Sequence, residues 1–309
     1  MKQAAFHSPD LHMHSVYSDG TDTPRALLQR VRAAGLDIFA LTDHDTAQGC
    51  AAVRALLEPG DAAFIEGIEF SCQDGEGKYH VLGYGFDAEK PSIRAAADFA
   101  HHTRILKMQN RFGYLARRFG FTFTEEERSQ LLALKNPGKP HFVDMMLKKG
   151  YVKTKMEGFE AFSGCPDTEP TLSPEEAIDA IIQANGIPVL AHGILADGSK
   201  NLSEEEITGR VVRLKAAGLR GLECYYSAFT PRQREIMLAL AERCRLLVTA
   251  GSDYHGTNKA VSLGQTGGAD PVRLQGFYEA VADLILEKQY TVDKTAEFAI
   301  TLKKGAPYH

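Results

Sequence analysis

The sequence predicts an α/β barrel carrying a helical insertion, and three observations predict it. Apolar, strand-length runs alternate with helix-period segments along most of the chain, the pattern of a repeated βα unit. Several helices begin at capping signals: Thr23-Pro24, Ser173-Pro174-Glu175-Glu176, Ser203-Glu204-Glu205-Glu206 and Thr230-Pro231. The rhythm breaks from Pro91 to about Asp167, where helical patterns follow one another without a strand, and then resumes. That resumption favours an insertion over a separate domain. We therefore expect a barrel over 1–90 and 170–309, and a helical insertion over 91–169 that contributes to the pocket.

Taken in order, a first strand covers 10–14, and the helix opened by Thr23-Pro24 stops at Gly35. A buried strand over 37–42 leads into Asp43-His44-Asp45, and a helix over 47–57 stops at Pro59-Gly60. Strands over 63–71 and 78–86 flank a Gly-rich turn. The insertion holds a long helix over 93–119, basic on one side, followed by helices over 125–134 and 142–149. Beyond it lie strands over 187–192, 219–225 and 246–250, and a helix over 271–288 closes the domain.

A chain of 309 residues, 44% hydrophobic and 24% charged, has ample material for a core. Its net charge of −5 and lack of basic runs argue against a generic nucleic-acid or anionic-membrane binder, although bound cations would still admit a phosphate-bearing substrate. Five cysteines without CxxC spacing indicate neither a disulfide framework nor a zinc knuckle. With no membrane-length apolar run and no signal-peptide pattern, we expect a cytoplasmic protein with no obligatory protein partner.

Chemistry-bearing residues gather at the predicted strand ends: His12, His14, His44, Glu69, His80, His192, Asp253 and His255, with Asp19 in the first loop. Two histidines two apart on a strand project to one side, and imidazole nitrogens beside carboxylates suit a transition metal. His80 or Glu69 taken alone reads most plainly as a core residue satisfied by its neighbours. The set does not, because six of the eleven histidines stand where barrels carry their active sites.

Four ordered motifs carry a resemblance: Asp10-Leu11-His12-Met13-His14-Ser15, Leu41-Thr42-Asp43-His44-Asp45, Gly67-Ile68-Glu69-Phe70-Ser71 and Gly251-Ser252-Asp253-Tyr254-His255-Gly256. They resemble the PHP (polymerase and histidinol phosphatase) family, in particular its stand-alone phosphoesterases with a helical insertion. That group includes nucleoside 3′,5′-bisphosphate phosphatases, a cyclic-phosphate phosphodiesterase and a 5′–3′ RNA exonuclease. The resemblance implies a distorted (β/α)7 barrel with three divalent ions, Mn, Fe or Zn. It assigns His12, His14, Glu69 and Asp253 to one metal, and Glu69, His80 and His192 to a second. Asp19, His44 and His255 fall to the third, and Glu69, Asp253 and His255 are expected at the heart of catalysis. The implied reaction is attack of a metal-bridging hydroxide on phosphorus of a small phosphorylated metabolite. Asp43 and Asp10 are expected to orient ligands without binding metal.

The chain departs from the subgroup at three places. His192-Gly193-Ile194-Leu195 stands for His-Pro-Gly, Gly138-Lys139-Pro140-His141 stands for Gly-Arg-x-His, and Gly164–Glu169 replaces a glycine- and lysine-rich segment. Lys139 offers a phosphate a point charge without arginine's fork. Lys139, His141 and Tyr225 are the expected substrate contacts, Tyr225-Tyr226 being placed to stack a base or sugar. The basic helix around Arg104 and Arg111 reads as a solvated face. Two other readings stand beside the phosphoesterase: a 5′–3′ exonuclease on short oligonucleotides, and a silent metal-stabilised module. The silent module would need missing ligands. An amidohydrolase would want a carbamylated lysine on a strand, and no strand offers one.

Overall fold

Seven strands form one sheet in sequence order: β1 (Pro9–Asp10), β2 (Ile38–Leu41), β3 (Ala63–Asp74), β4 (Gly77–Tyr84), β5 (Ile187–Leu190), β6 (Gly221–Tyr226) and β7 (Leu247–Gly251). The computed structural model describes residues 6–195 and 201–289, so 1–5, 196–200 and 290–309 of the expected barrel range lie outside the described residues. The Leu11 amide donates to the Ala250 carbonyl at 2.9 Å, and Met13 bridges Tyr254, so the first segment meets the last and the barrel nearly closes. Regular pairing of β1 is only two residues long, yet alternation continues past it. Leu11 and Met13 are fully buried in apolar clusters, while His12 and His14 turn to the opposite side.

The strands are not all parallel. β3–β4 and β4–β5 pair antiparallel, and the remaining neighbours pair parallel. Only two residues, Gly75 and Glu76, separate β3 from β4, too few for the crossover that a parallel pair needs. This corrects the expectation that every site residue ends a strand. His80 lies in the first half of β4, which runs against both of its neighbours, β3 and β5. Glu69 lies within β3, whose second half runs on beyond the barrel as a hairpin with β4.

Helices α1 (Pro24–Ala33), α2 (Gln48–Arg54), α7 (Pro174–Gln183), α8 (Glu204–Ala216), α9 (Pro231–Cys244) and α10 (Pro271–Gln289) surround the sheet. The predicted caps form: Thr23 accepts from the third amide of its helix, and Ser173, Ser203 and Thr230 make reciprocal capping boxes. Between β4 and α7 lie α3 (Pro91–Phe119), α4 (Glu125–Leu132), α5 (Lys139–Lys148) and α6 (Lys155–Glu160). The short α6 was not expected; Thr154 caps it. Helices α3, α4 and α5 and the residues just after α6 share an apolar cluster of their own around Met108, Phe112, Phe142 and Phe162, beside the main core between strands and outer helices.

Candidate metal centre

Glu69 is the hub. Its carboxylate is buried, with Oε2 within 3.2 Å of His12 Nε2 and His14 Nε2 and 3.1 Å from His44 Nδ1. Oε1 faces the other way, 3.0 Å from His80 Nδ1 and 3.3 Å from His192 Nε2. Asp253 Oδ1 lies 3.2 Å from His14 Nε2 and 3.4 Å from His12 Nε2. Asp19 Oδ1 lies 3.2 Å from His255 Nε2 and about 4 Å from both His14 and His44. Three overlapping groups of donors fall within one ion's reach: His12-His14-Glu69-Asp253, His44-Glu69-His80 and His14-Asp19-His44-His255. All nine residues singled out as ligands in the sequence converge here, with His192 beside the second group and His14 adjoining two.

Backbone geometry enforces this convergence. Gly251 admits no side chain, because a Cβ there would collide with His12 and Glu223. His192 and Asp253, neither of them glycine, hold positive φ at 28° and 57°, a strain found where a fold must aim a side chain. Asp43 accepts from the Ser15 amide and both the Ser15 and Ser18 hydroxyls, and so shapes the loop that carries Asp19. Asp10 accepts from the Ser252 and Gly264 amides behind Asp253.

The donor set fits divalent cations. His12 Nδ1 is 2.9 Å from Glu223 Oε1, which fixes the imidazole with Nδ1 as donor. Its Nε2 then points at two carboxylate oxygens, a contact that a proton or a bound cation relieves. Likewise His255 Nδ1 meets the Asp253 carbonyl at 2.9 Å and leaves Nε2 facing Asp19. His12 Nε2, His14 Nε2, Asp19 Oδ1, His44 Nδ1 and Glu69 Oε2 are buried without a hydrogen-bond partner. Burial opposes charge on these groups, yet the surrounding histidines hold Glu69 and Asp19 well below the usual carboxylate range. Asp253 is held low in the same way by His12 and His255. Burial pushes the His44 imidazole down to about 3, leaving it neutral and able to ligate.

Residues 10–184, more than half of the chain, match the PHP domain family. The chain belongs to the PHP domain family. It is 29% identical over 255 residues to a phosphoribosyl 1,2-cyclic phosphate 1,2-diphosphodiesterase of Eggerthella lenta, covering 80% of this chain and 94% of the relative. It is 28% identical over 253 residues to a 3′,5′-nucleoside bisphosphate phosphatase of Chromobacterium violaceum, covering 80% and 86%. A metal-dependent phosphoesterase structure from Bifidobacterium adolescentis matches 92% of this chain and 97% of its own, with TM-score 0.76 and 29% identity. The protein is a metal-dependent phosphoesterase with a nearly closed barrel.

Beside the clusters, the PHP barrel and the inserted helices enclose a cavity of about 540 Å³. Lys139 lines it as expected. His141, two residues on, spends Nδ1 accepting the Gly138 amide at the start of α5. Tyr225 corrects an expectation: it is 4% exposed, inside the main apolar core. The register shifts between Glu223 and Tyr225 in β6, and this irregularity turns Glu223 and Tyr226 to the site and Tyr225 away. Tyr226 donates to Asp253 Oδ2 at 2.8 Å, and Lys259 donates to the same two groups.

The basic face of α3 is a second correction. Arg104 pairs with Asp45 and donates to Ser71 Oγ at 3.1 Å, while Arg104, Lys107 and Arg111 all line the cavity. Their spacing of three and seven residues marks one helical stripe and could have revealed a shared destination. Glu223 carried no comparable signal, since its partner His12 lies 211 residues away. Among the described residues, no helix is long and apolar enough to cross a membrane.

Proposed function

We propose that this chain hydrolyses phosphate esters of a small phosphorylated metabolite at a centre of three divalent ions, Mn, Fe or Zn. His12, His14, Glu69 and Asp253 would hold one ion, Glu69, His80 and His192 a second, and Asp19, His44 and His255 the third. The observation that carries this is that five of the buried nitrogen and oxygen atoms lacking a hydrogen bond belong to candidate ligands and fall within three overlapping groups of donors. We take 91–169 as an insertion into the barrel that supplies one wall of the substrate pocket.

When bound, such ions neutralise the phosphoryl oxygens and supply an acidified water for attack on phosphorus. The protein's own residues set the geometry. Glu69 offers one oxygen to each of two donor groups, so a single side chain fixes their separation. Tyr226 and Lys259 occupy Asp253 Oδ2 and thereby reserve Oδ1 for the histidines. Lys139, on the insertion, brings a positive charge to the cavity where the substrate's anionic groups must lie. Nucleotide bisphosphates, cyclic phosphates and sugar phosphates are the candidate substrates.

A phosphate-release screen across those esters and short RNA oligomers, with added Mn²⁺, tests the reading. The wild type should turn over small esters in preference to oligomers. Glu69→Ala should cut turnover by about a thousandfold or more while retaining a folded barrel. Full turnover in a Glu69→Ala protein of unchanged metal content would refute the assignment.

A further inference from the structure

The three donor groups are not braced alike. Glu223 of β6 aligns His12 and His192, and Tyr226 and Lys259 take Asp253 Oδ2, so the barrel itself sets the first two groups. The third group, Asp19, His44 and His255, is carried on loops past the ends of β1, β2 and β7. Two of its spacings are also wider. Asp19 Oδ1 is 3.9 Å from His14 Nδ1 and 4.0 Å from His44 Nε2, against 3.2–3.4 Å within the first group.

Three side chains of the insertion reach those loops. Asn136, buried in the connection between α4 and α5, donates its amide NH2 to the His44 carbonyl. Arg104 Nε donates to Asp45 Oδ2 at 3.0 Å, so the peptide joining His44 to Asp45, where φ is 54°, is gripped from both sides. On α6, Lys155 Nζ donates to Asn258 Oδ1 at 2.7 Å and to the Thr257 carbonyl at 3.4 Å. An ammonium group only donates, so it takes the oxygen of the Asn258 amide and turns the NH2 the other way. That NH2 donates to the Asp19 carbonyl at 2.8 Å. The insertion thus holds His44 directly, and Asp19 through Asn258. Among the described residues, no insertion side chain hydrogen-bonds to His12, His14, Glu69, His80, His192 or Asp253.

We propose that Asn136 and Lys155 are positioning residues for one metal site, the insertion setting the Asp19-His44-His255 group while the barrel sets the other two. The proposal rests on the three-ion reading and deepens it. Neither side chain lines the cavity, so each acts through another residue: Asn136 through His44, and Lys155 through Asn258. Without these contacts the chain loses the third ion first and keeps the other two.

The test counts bound Mn²⁺ per chain by equilibrium dialysis over a range of free Mn²⁺, for wild type, Asn136→Leu and Lys155→Met. Wild type should fill three sites. Each variant should hold one ion about tenfold to a hundredfold more weakly, with the other two affinities within about twofold. In a His255→Ala background, where the third site has already lost a ligand, Lys155→Met should change nothing further. The Lys155 side chain is 41% exposed, so its variant decides the matter even where Asn136→Leu does not fold. A merely structural role would weaken every site alike. Three ions held at wild-type affinity in Lys155→Met, equal weakening of all sites, or further loss in the His255→Ala background would overturn the proposal. A wild type that binds fewer than three ions would sink the three-ion reading itself, and this proposal with it.

Discussion

Glu223 shows how one residue can govern a site it does not enter. Its Oε1 holds His12 Nδ1 at 2.9 Å and its Oε2 accepts the His192 amide at 2.8 Å, so a single buried carboxylate aligns donors from β1's extension and from the end of β5. Glu223→Gln keeps the volume but puts an amide NH2 against one of two donors. Manganese affinity should fall between about tenfold and a hundredfold, as when a residue orienting a metal-bound histidine is lost. Metal titration against a competing chelator measures this, and an unchanged affinity would remove Glu223 from its orienting role. His12, His14 and Asp253 were legible because their types and strand-end positions are local facts. Glu223 was not, because nothing near it in the chain announces a histidine 211 residues away. Sequence does not tell Tyr225 from Tyr226 for a similar reason: the β6 irregularity resets which residues face inward, and no Gly or Pro marks it.

At the scale of elements, the reversal of β4 and the role of α3 separate what patterning reveals from what it hides. All seven strands and most helices follow from hydrophobic period and caps. The direction of β4 lay in the shortness of its turn, which excludes a parallel return. The basic stripe of α3 looked solvated because helix period alone does not say which neighbour a charged face meets. Arg104 meets Asp45, a residue at φ 54° whose carboxylate also accepts the Ser71 amide at 2.7 Å. Burial works against the Asp45 charge, and the Arg104 guanidinium holds its carboxyl below the usual range. Arg104→Ala would strand that buried carboxylate and should destabilise the protein by about 3 kcal/mol. Urea unfolding reads the loss. An unchanged midpoint would show that the insertion and the barrel are not tied through this pair.

At the scale of the whole molecule, a net charge of −5 coexists with a cavity whose walls carry opposite fields. Carboxylates and histidines converge at the candidate metal centre, with Lys259 and Arg104 paired at its margin, and Lys78, Lys107, Arg111 and Lys139 line the cavity beside it, so the chain suits ligands pairing cations with phosphate better than a long polyanion. The barrel contributes every candidate metal ligand, while the insertion contributes Arg104, Lys107, Arg111, Lys139 and Asp167. Four of the six lysines and arginines lining the cavity thus lie between β4 and α7, while Lys78 and Lys259 lie outside that stretch. Variants of Lys107, Arg111 and Lys139 should therefore alter which ester is chosen before they alter whether any ester is cleaved.

The most direct measurement is phosphate release from adenosine 3′,5′-bisphosphate by chelator-treated protein as Mn²⁺ is added back, with bound ions per chain counted at each step. Turnover should be lost at zero bound metal, return as more than one ion binds per chain, and reach its maximum near three. Undiminished turnover by metal-free protein, or full turnover with a single bound ion, would contradict a shared centre built on Glu69.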